Sequence, residues 1–161
     1  GARSFRAMIT GRTVLLALHI LCAVLWVGGG VTLHALGRMA LASGDRQRML
    51  QFSKDADWIG PRFYAPLSIL LLVFGIFLVD KAGYQMSDTF VGLGFAGWII
   101  SFLIGILYYS RAAKKRDAII AAEGLESDAF LAQYMQVANV NLVEITLLLL
   151  VVIDMAIKPG T

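Results

Sequence analysis

Few residues in this sequence could do chemistry, and the most suggestive sit inside apolar runs. The chain has two histidines and one cysteine. All three lie in the stretch Thr13 to Leu36 (TVLLALHILCAVLWVGGGVTLHAL), with Trp26 and the triplet Gly28-Gly29-Gly30. His19 precedes Trp26 by two helical turns, so His19, Cys22, Trp26 and Gly29 or Gly30 share one face. An imidazole in an apolar span is expensive to leave unpaired, and it normally faces protein and has a partner. Two readings follow. His19 is either an axial ligand of haem b or a ligand of copper, or a histidine hydrogen-bonded to a neighbouring helix. The glycine triplet lets a second helix, or a flat ligand, approach closely. His34 lies ~22 Å further along the same axis, too far to share a metal with His19. Two haems at two depths would need more ligands than two histidines supply. The candidate cofactor positions are therefore His19, Trp26, Gly29 and His34, with His19 as the metal position.

Glu144 is the other candidate. It lies within the apolar run NVNLVEITLLLL, and Asn141 is three positions before it on nearly the same face. A carboxyl there is costly and by default marks a proton, ion or ligand path. It can instead be a packed group, hydrogen-bonded to His19 or Asn141. Asp154 and Lys158, one turn apart near the end of the same run, read as an anchoring pair. Gly97, Ser101 and Gly105 form a small-residue seam for helix packing. GLGFAG (Gly92 to Gly97) has the letters of a dinucleotide fingerprint, but it opens an apolar span with no strand before it, which excludes that reading. No hydrolase triad, phosphate loop or Cys/His zinc pattern is present.

The elements that must position these residues are membrane helices. Thr13 to Leu36 holds no charged residue, and its ~24 positions make ~36 Å of helix, enough to cross a ~30 Å hydrocarbon core. The helix should continue to Ser43, where Gly44 breaks it and Asp45 starts the next. DRQRMLQFSKDADWI sets Met49, Phe52, Ala56 and Ile59 at helical spacing among charges. That predicts a short amphipathic helix on the membrane surface or capping the bundle, ended by Gly60-Pro61. A second span covers about 63–79, with Pro66 in its first turn. A third covers about 89–110 and continues as a polar helix to Gly124. The last helix is capped by Ser127 and runs from about 128 to 157, with its span at about 137–157, and Pro159 ends it. Residues 1–7 (GARSFRA) read as a tag remnant before a natural start at Met8, and the first span is too long for a cleaved signal peptide. The fold expected is all-α: a single antiparallel bundle of four transmembrane helices over residues 8–161, with a cytoplasmic amphipathic helix between the first two.

The totals agree. Of 161 residues, 58% are hydrophobic and 16% charged, against ~25% charged in soluble domains. One cysteine excludes an internal disulfide. The pI near 9.2 does not indicate nucleic acid, because the cations flank apolar runs and set topology. Arg38, Arg46, Arg48, Lys54, Arg62, Arg111, Lys114, Lys115 and Arg116 fall on one side, and only Arg12, Lys81 and Lys158 on the other. The positive-inside rule then places both termini outside a bacterial inner membrane.

At LHILCAVLWVGG (Leu18 to Gly29), and at the ending MAIKPG (Met155 to Gly160), the chain resembles a bacterial integral-membrane family known as domain of unknown function 2269. The resemblance covers nearly everything from Met8. The His-x6-Trp-x-Gly-Gly pattern is also similar to copper-resistance D membrane proteins and, more distantly, to four-helix haem-binding bacterial protoporphyrinogen oxidases. For those relatives the resemblance implies that His19 is the metal or haem position. The oxidase pattern has a Pro-Arg after the first span's glycines, and this chain does not. Three functions are thus expected in competition. One is a packing or accessory membrane protein, with glycine seams that would suit a homodimer. The others are a haem- or copper-binding redox protein using His19 and a small proton-coupled transporter using Glu144.

Overall fold

The structure is a computed structural model and describes residues 11–158. The remnant at 1–7, Met8, Pro159 and the end of MAIKPG lie outside the described residues. Among the described residues six α-helices and two π-turns make four long rods. The first is α1 (Gly11–Ala42). The second joins α2 (Arg46–Ile59) to α3 (Ala65–Ala82) through a π-turn at Gly60–Tyr64. The third joins α4 (Thr89–Leu103) to α5 (Tyr109–Glu123) through a π-turn at Ile104–Tyr108. The fourth is α6 (Asp128–Ile157). Each rod is long and apolar enough to cross a membrane. Connections of a few residues make sequence neighbours antiparallel. α1 lies against α3 and α6, α4 and α5 lie along α6, and α3 meets α4, which closes the ring.

The ends follow from local chemistry. Gly44 turns at φ +70°, and the Asp45 carboxylate accepts from the N–H groups of Gln47 and Arg48 at 2.8 and 3.2 Å. Ser127 caps α6 by accepting from Phe130 N–H at 3.2 Å.

The amphipathic segment differs from expectation. Gly60-Pro61 does not end it, and α2 runs straight into the second span. A proline inside an α-helix clashes with the carbonyl four residues back and offers it no N–H. The rod continues through a wider π-turn, in which Ala65 N–H donates to the Gly60 carbonyl five residues back. The inward face is nevertheless the expected one. Met49 is buried, and Phe52, Ala56 and Ile59 are partly so. Met49 forms a small core with Ala40, Leu50, Phe130 and Tyr134 at the charged end, with Phe52 packed against it, and there Arg116, 7% exposed, pairs with Asp57 at 2.7 Å. Through the apolar middle the pattern inverts, and large aliphatic side chains such as Val143, at 68%, face outward as lipid-facing residues must.

Candidate functional site

Polar side chains inside the apolar rods mostly satisfy themselves locally. Thr32 donates to the Gly28 carbonyl, Thr146 to Leu142 and Ser68 to Ala65. His19, Trp98 and Glu144 bond across rods instead, and Glu144 gathers a chain of polar groups that spans three. Glu144 is 9% exposed. Ser101 on α4 donates its hydroxyl to Oε1, and Tyr109 at the start of α5 donates to Oε2 at 2.6 Å. Asn141 Nδ2 donates to the Tyr109 oxygen at 3.4 Å, and Nδ1 of His34 lies 3.1 Å from Asn141 Oδ1. With that amide oxygen as acceptor, His34 carries its proton on Nδ1.

The second π-turn makes this convergence possible. Ser101 and Tyr109 are eight positions apart, which in a regular α-helix puts them about 80° apart around the axis. The turn at Ile104–Tyr108, closed by Tyr109 N–H on the Ile104 carbonyl, absorbs one residue and reduces the offset to about 20°. Both hydroxyls then face α6, one to each carboxyl oxygen.

Glu144 was expected to meet His19 or Asn141. Its direct partners are Ser101 and Tyr109, and Asn141 is reached through Tyr109. His19 is out of range because of height. α1 meets the level of Glu144 near Gly30, against Ile145. His19 is 11 residues from Gly30, ~16 Å along the axis. The Glu144 chain therefore reaches the first helix through His34, and Tyr134 on α6 makes a separate bond to the Gly37 carbonyl of α1 at 2.8 Å. His19 instead donates from Nδ1 to the Leu71 carbonyl at 3.1 Å, with its ring against Gly75 on α3.

The rest of the His19 face is filled by protein. Cys22 and Trp26 are buried with Leu67 and Leu148. A Cβ on Gly29 would fall 2.5 Å from the Tyr64 hydroxyl, so the glycine admits the tyrosine from the first π-turn. Gly97 does the same for Val151 and Gly94 for Met155, so part of the small-residue seam is used within the chain. Lys158, just past α6, donates to the hydroxyl of Tyr84 in the turn after α3 at 2.7 Å, an anchor that its spacing from Asp154 does not suggest.

The model of a family described as predicted integral membrane proteins, domain of unknown function 2269, matches residues 13–159. The chain belongs to this family. It is an integral membrane protein, and Glu144 with its partners lies within membrane-crossing rods. No curated protein and no solved structure matches the chain.

Sequence reasoning missed Tyr109 and the donor role of Ser101. Ser101 stands in a small-residue seam and reads as packing. Tyr109 sits where the third span meets its cations and reads as an interfacial anchor.

Proposed function

We propose that the protein is a proton-responsive accessory protein of a bacterial inner membrane, acting through the way its bundle packs, with Glu144 as the group that adjusts the packing. One observation carries this: every donor in the chain from His34 to Ser101 is aimed toward Glu144. That polarity suits a carboxylate, which only accepts. A protonated carboxyl must donate, so one of the two hydroxyls has to accept from it and turn its own proton elsewhere. Tyr109 is held by Asn141, whereas a helical serine can turn to a carbonyl of its own helix, as Ser110 does to Ile106. Protonation therefore turns the Ser101 hydroxyl onto its own helix and leaves α4 held to α6 by a neutral bond in place of a charge-assisted one, which loosens the contact. Asn141 also separates Glu144 from His34, and an amide does not readily relay a proton. This favours a proton-holding group over a proton-conducting path, and so an accessory role over transport.

Infrared difference spectra in lipid nanodiscs follow the carboxyl, and a spin-label pair on α4 and α6 follows packing. The wild type should lose carboxylate signal and widen the α4–α6 distance together on acidification. Glu144→Gln should abolish both changes, and His34→Gln should keep them. An α4–α6 distance that still responds to pH in Glu144→Gln rejects the proposal.

The cation bias supports placing the α2/α5 end in the cytoplasm and both termini outside. A reporter after Thr161 should then lie outside and one at Gly124 inside, and the reverse would overturn the orientation. A homodimer has room against Gly28, Gly92 and Gly105, which face open space. The packing favours a structural His19 over a haem ligand: Gly75 lies against its ring, and Leu67 and Tyr64 pack on α1 further along, at Cys22, Trp26 and Gly29. Among the described residues no three His, Cys, Asp or Glu gather as a metal site.

A further inference from the structure

Where the third rod leaves its apolar stretch, a pocket of about 230 Å³ opens between α5 and α6. It is lined by Tyr108, Arg111, Lys115, Gln133 and Gln136, with Ala112 at its base. Neither cation has an acidic partner among the described residues. Two polar atoms of the lining are buried without a hydrogen-bond partner there: the Tyr108 hydroxyl and Oε1 of Gln133. Gln133 is only 5% exposed, and its Nε2 is used on the Ala112 carbonyl at 3.4 Å, which fixes Oε1 as the unmet acceptor. A buried polar atom with no partner costs free energy, so an occupant should supply the missing bonds.

The unmet groups specify that occupant. Arg111 and Lys115, one helical turn apart, call for an anion, and the Tyr108 hydroxyl can donate to it. Gln133 Oε1 can only accept, so the same ligand must also carry an O–H or N–H. Location selects a lipid over a soluble ion. The exposed Leu103 and Leu107 precede the pocket on the same rod, and the exposed Val143 lies two turns beyond Gln136 on α6, so an acyl chain has apolar surface leading away from the phosphate.

We propose that this pocket binds the headgroup of an anionic phospholipid with a hydroxylated headgroup, of the phosphatidylglycerol class. The phosphate sits on Arg111, Lys115 and the Tyr108 hydroxyl, and the headgroup hydroxyl donates to Gln133.

The test is native mass spectrometry of the full chain released from nanodiscs of equal parts phosphatidylglycerol and phosphatidylcholine. The wild type should retain phosphatidylglycerol preferentially. Arg111→Gln with Lys115→Gln should reduce that preference about tenfold. Tyr108→Phe, which changes no charge, should reduce it about threefold. Lys114→Gln, an exposed cation outside the lining, should leave it unchanged. The proposal is overturned if the double variant or Tyr108→Phe retains lipid as the wild type does, or if Lys114→Gln loses as much as the double variant. Displacement of the lipid by millimolar inorganic phosphate would overturn it in favour of a free-anion site.

Discussion

Removing one oxygen atom at Tyr109 tests the Glu144 chain without touching its carboxyl. Tyr109→Phe leaves Oε2 of Glu144 without the donor it now has at 2.6 Å and Nδ2 of Asn141 without the acceptor it has at 3.4 Å. A bond to a charged acceptor contributes about 1.5–3 kcal/mol in folded proteins, and bonds between membrane helices average about 0.6 with a maximum near 1.7. Two groups lose partners in a site where Glu144 is 9% exposed, so the cost should fall at about 1–3 kcal/mol. Ser101→Ala should cost less, since Ser101 engages only one oxygen and bridges no second residue. The assay is reversible unfolding in mixed detergent micelles, run as a double-mutant cycle of Tyr109→Phe with Glu144→Leu, which removes the acceptor. Coupling of about 0.6–1.7 kcal/mol is expected. A Tyr109→Phe variant as stable as wild type, with no coupling to Glu144, would refute the geometry of the chain.

Other substitutions probe the packing around it. Gly97→Leu drives a side chain into Val151 and should destabilise by about 1–3 kcal/mol in the same assay, despite the helix preference gained over glycine. Arg116→Ala should cost about 1–3 kcal/mol, because Arg116 is buried while its partner Asp57 keeps partial access to water, and adding salt should not reproduce the loss. His19→Ala should leave the visible spectrum of protein from haem-replete cells unchanged while lowering the melting temperature. A Soret band in the wild type that the variant loses would contradict the packed role given to His19.

The fold was legible because apolar runs of membrane length are separated by glycine and N-cap signals, at Gly44-Asp45 and at Gly124 with Ser127. Helix faces were legible too: Met49, Phe52, Ala56 and Ile59 turn inward as their spacing says. The two π-turns were not. Gly60-Pro61 reads as a stop because a proline cannot join a regular helix, and nothing local announces that a wider turn will carry the rod on. The turn at Ile104–Tyr108 has no proline at all, so Ser101 and Tyr109 look unrelated at eight positions. Partners across helices depend on relative height. Spacing along α6 identified Asn141 and Glu144 as a pair, but only three-dimensional placement decides that α1 presents His34 to them and His19 to Leu71.

The most direct measurement compares thermal unfolding in detergent of wild type, Glu144→Gln and Glu144→Leu. The amide keeps one acceptor for the Tyr109 hydroxyl, and its N–H can be accepted by Ser101, so Gln should melt close to wild type. Leucine leaves the Tyr109 hydroxyl buried and without an acceptor, and should lose roughly 1–3 kcal/mol. Equal stability of all three proteins would contradict the account, because it would mean that Glu144 has no buried partners to lose.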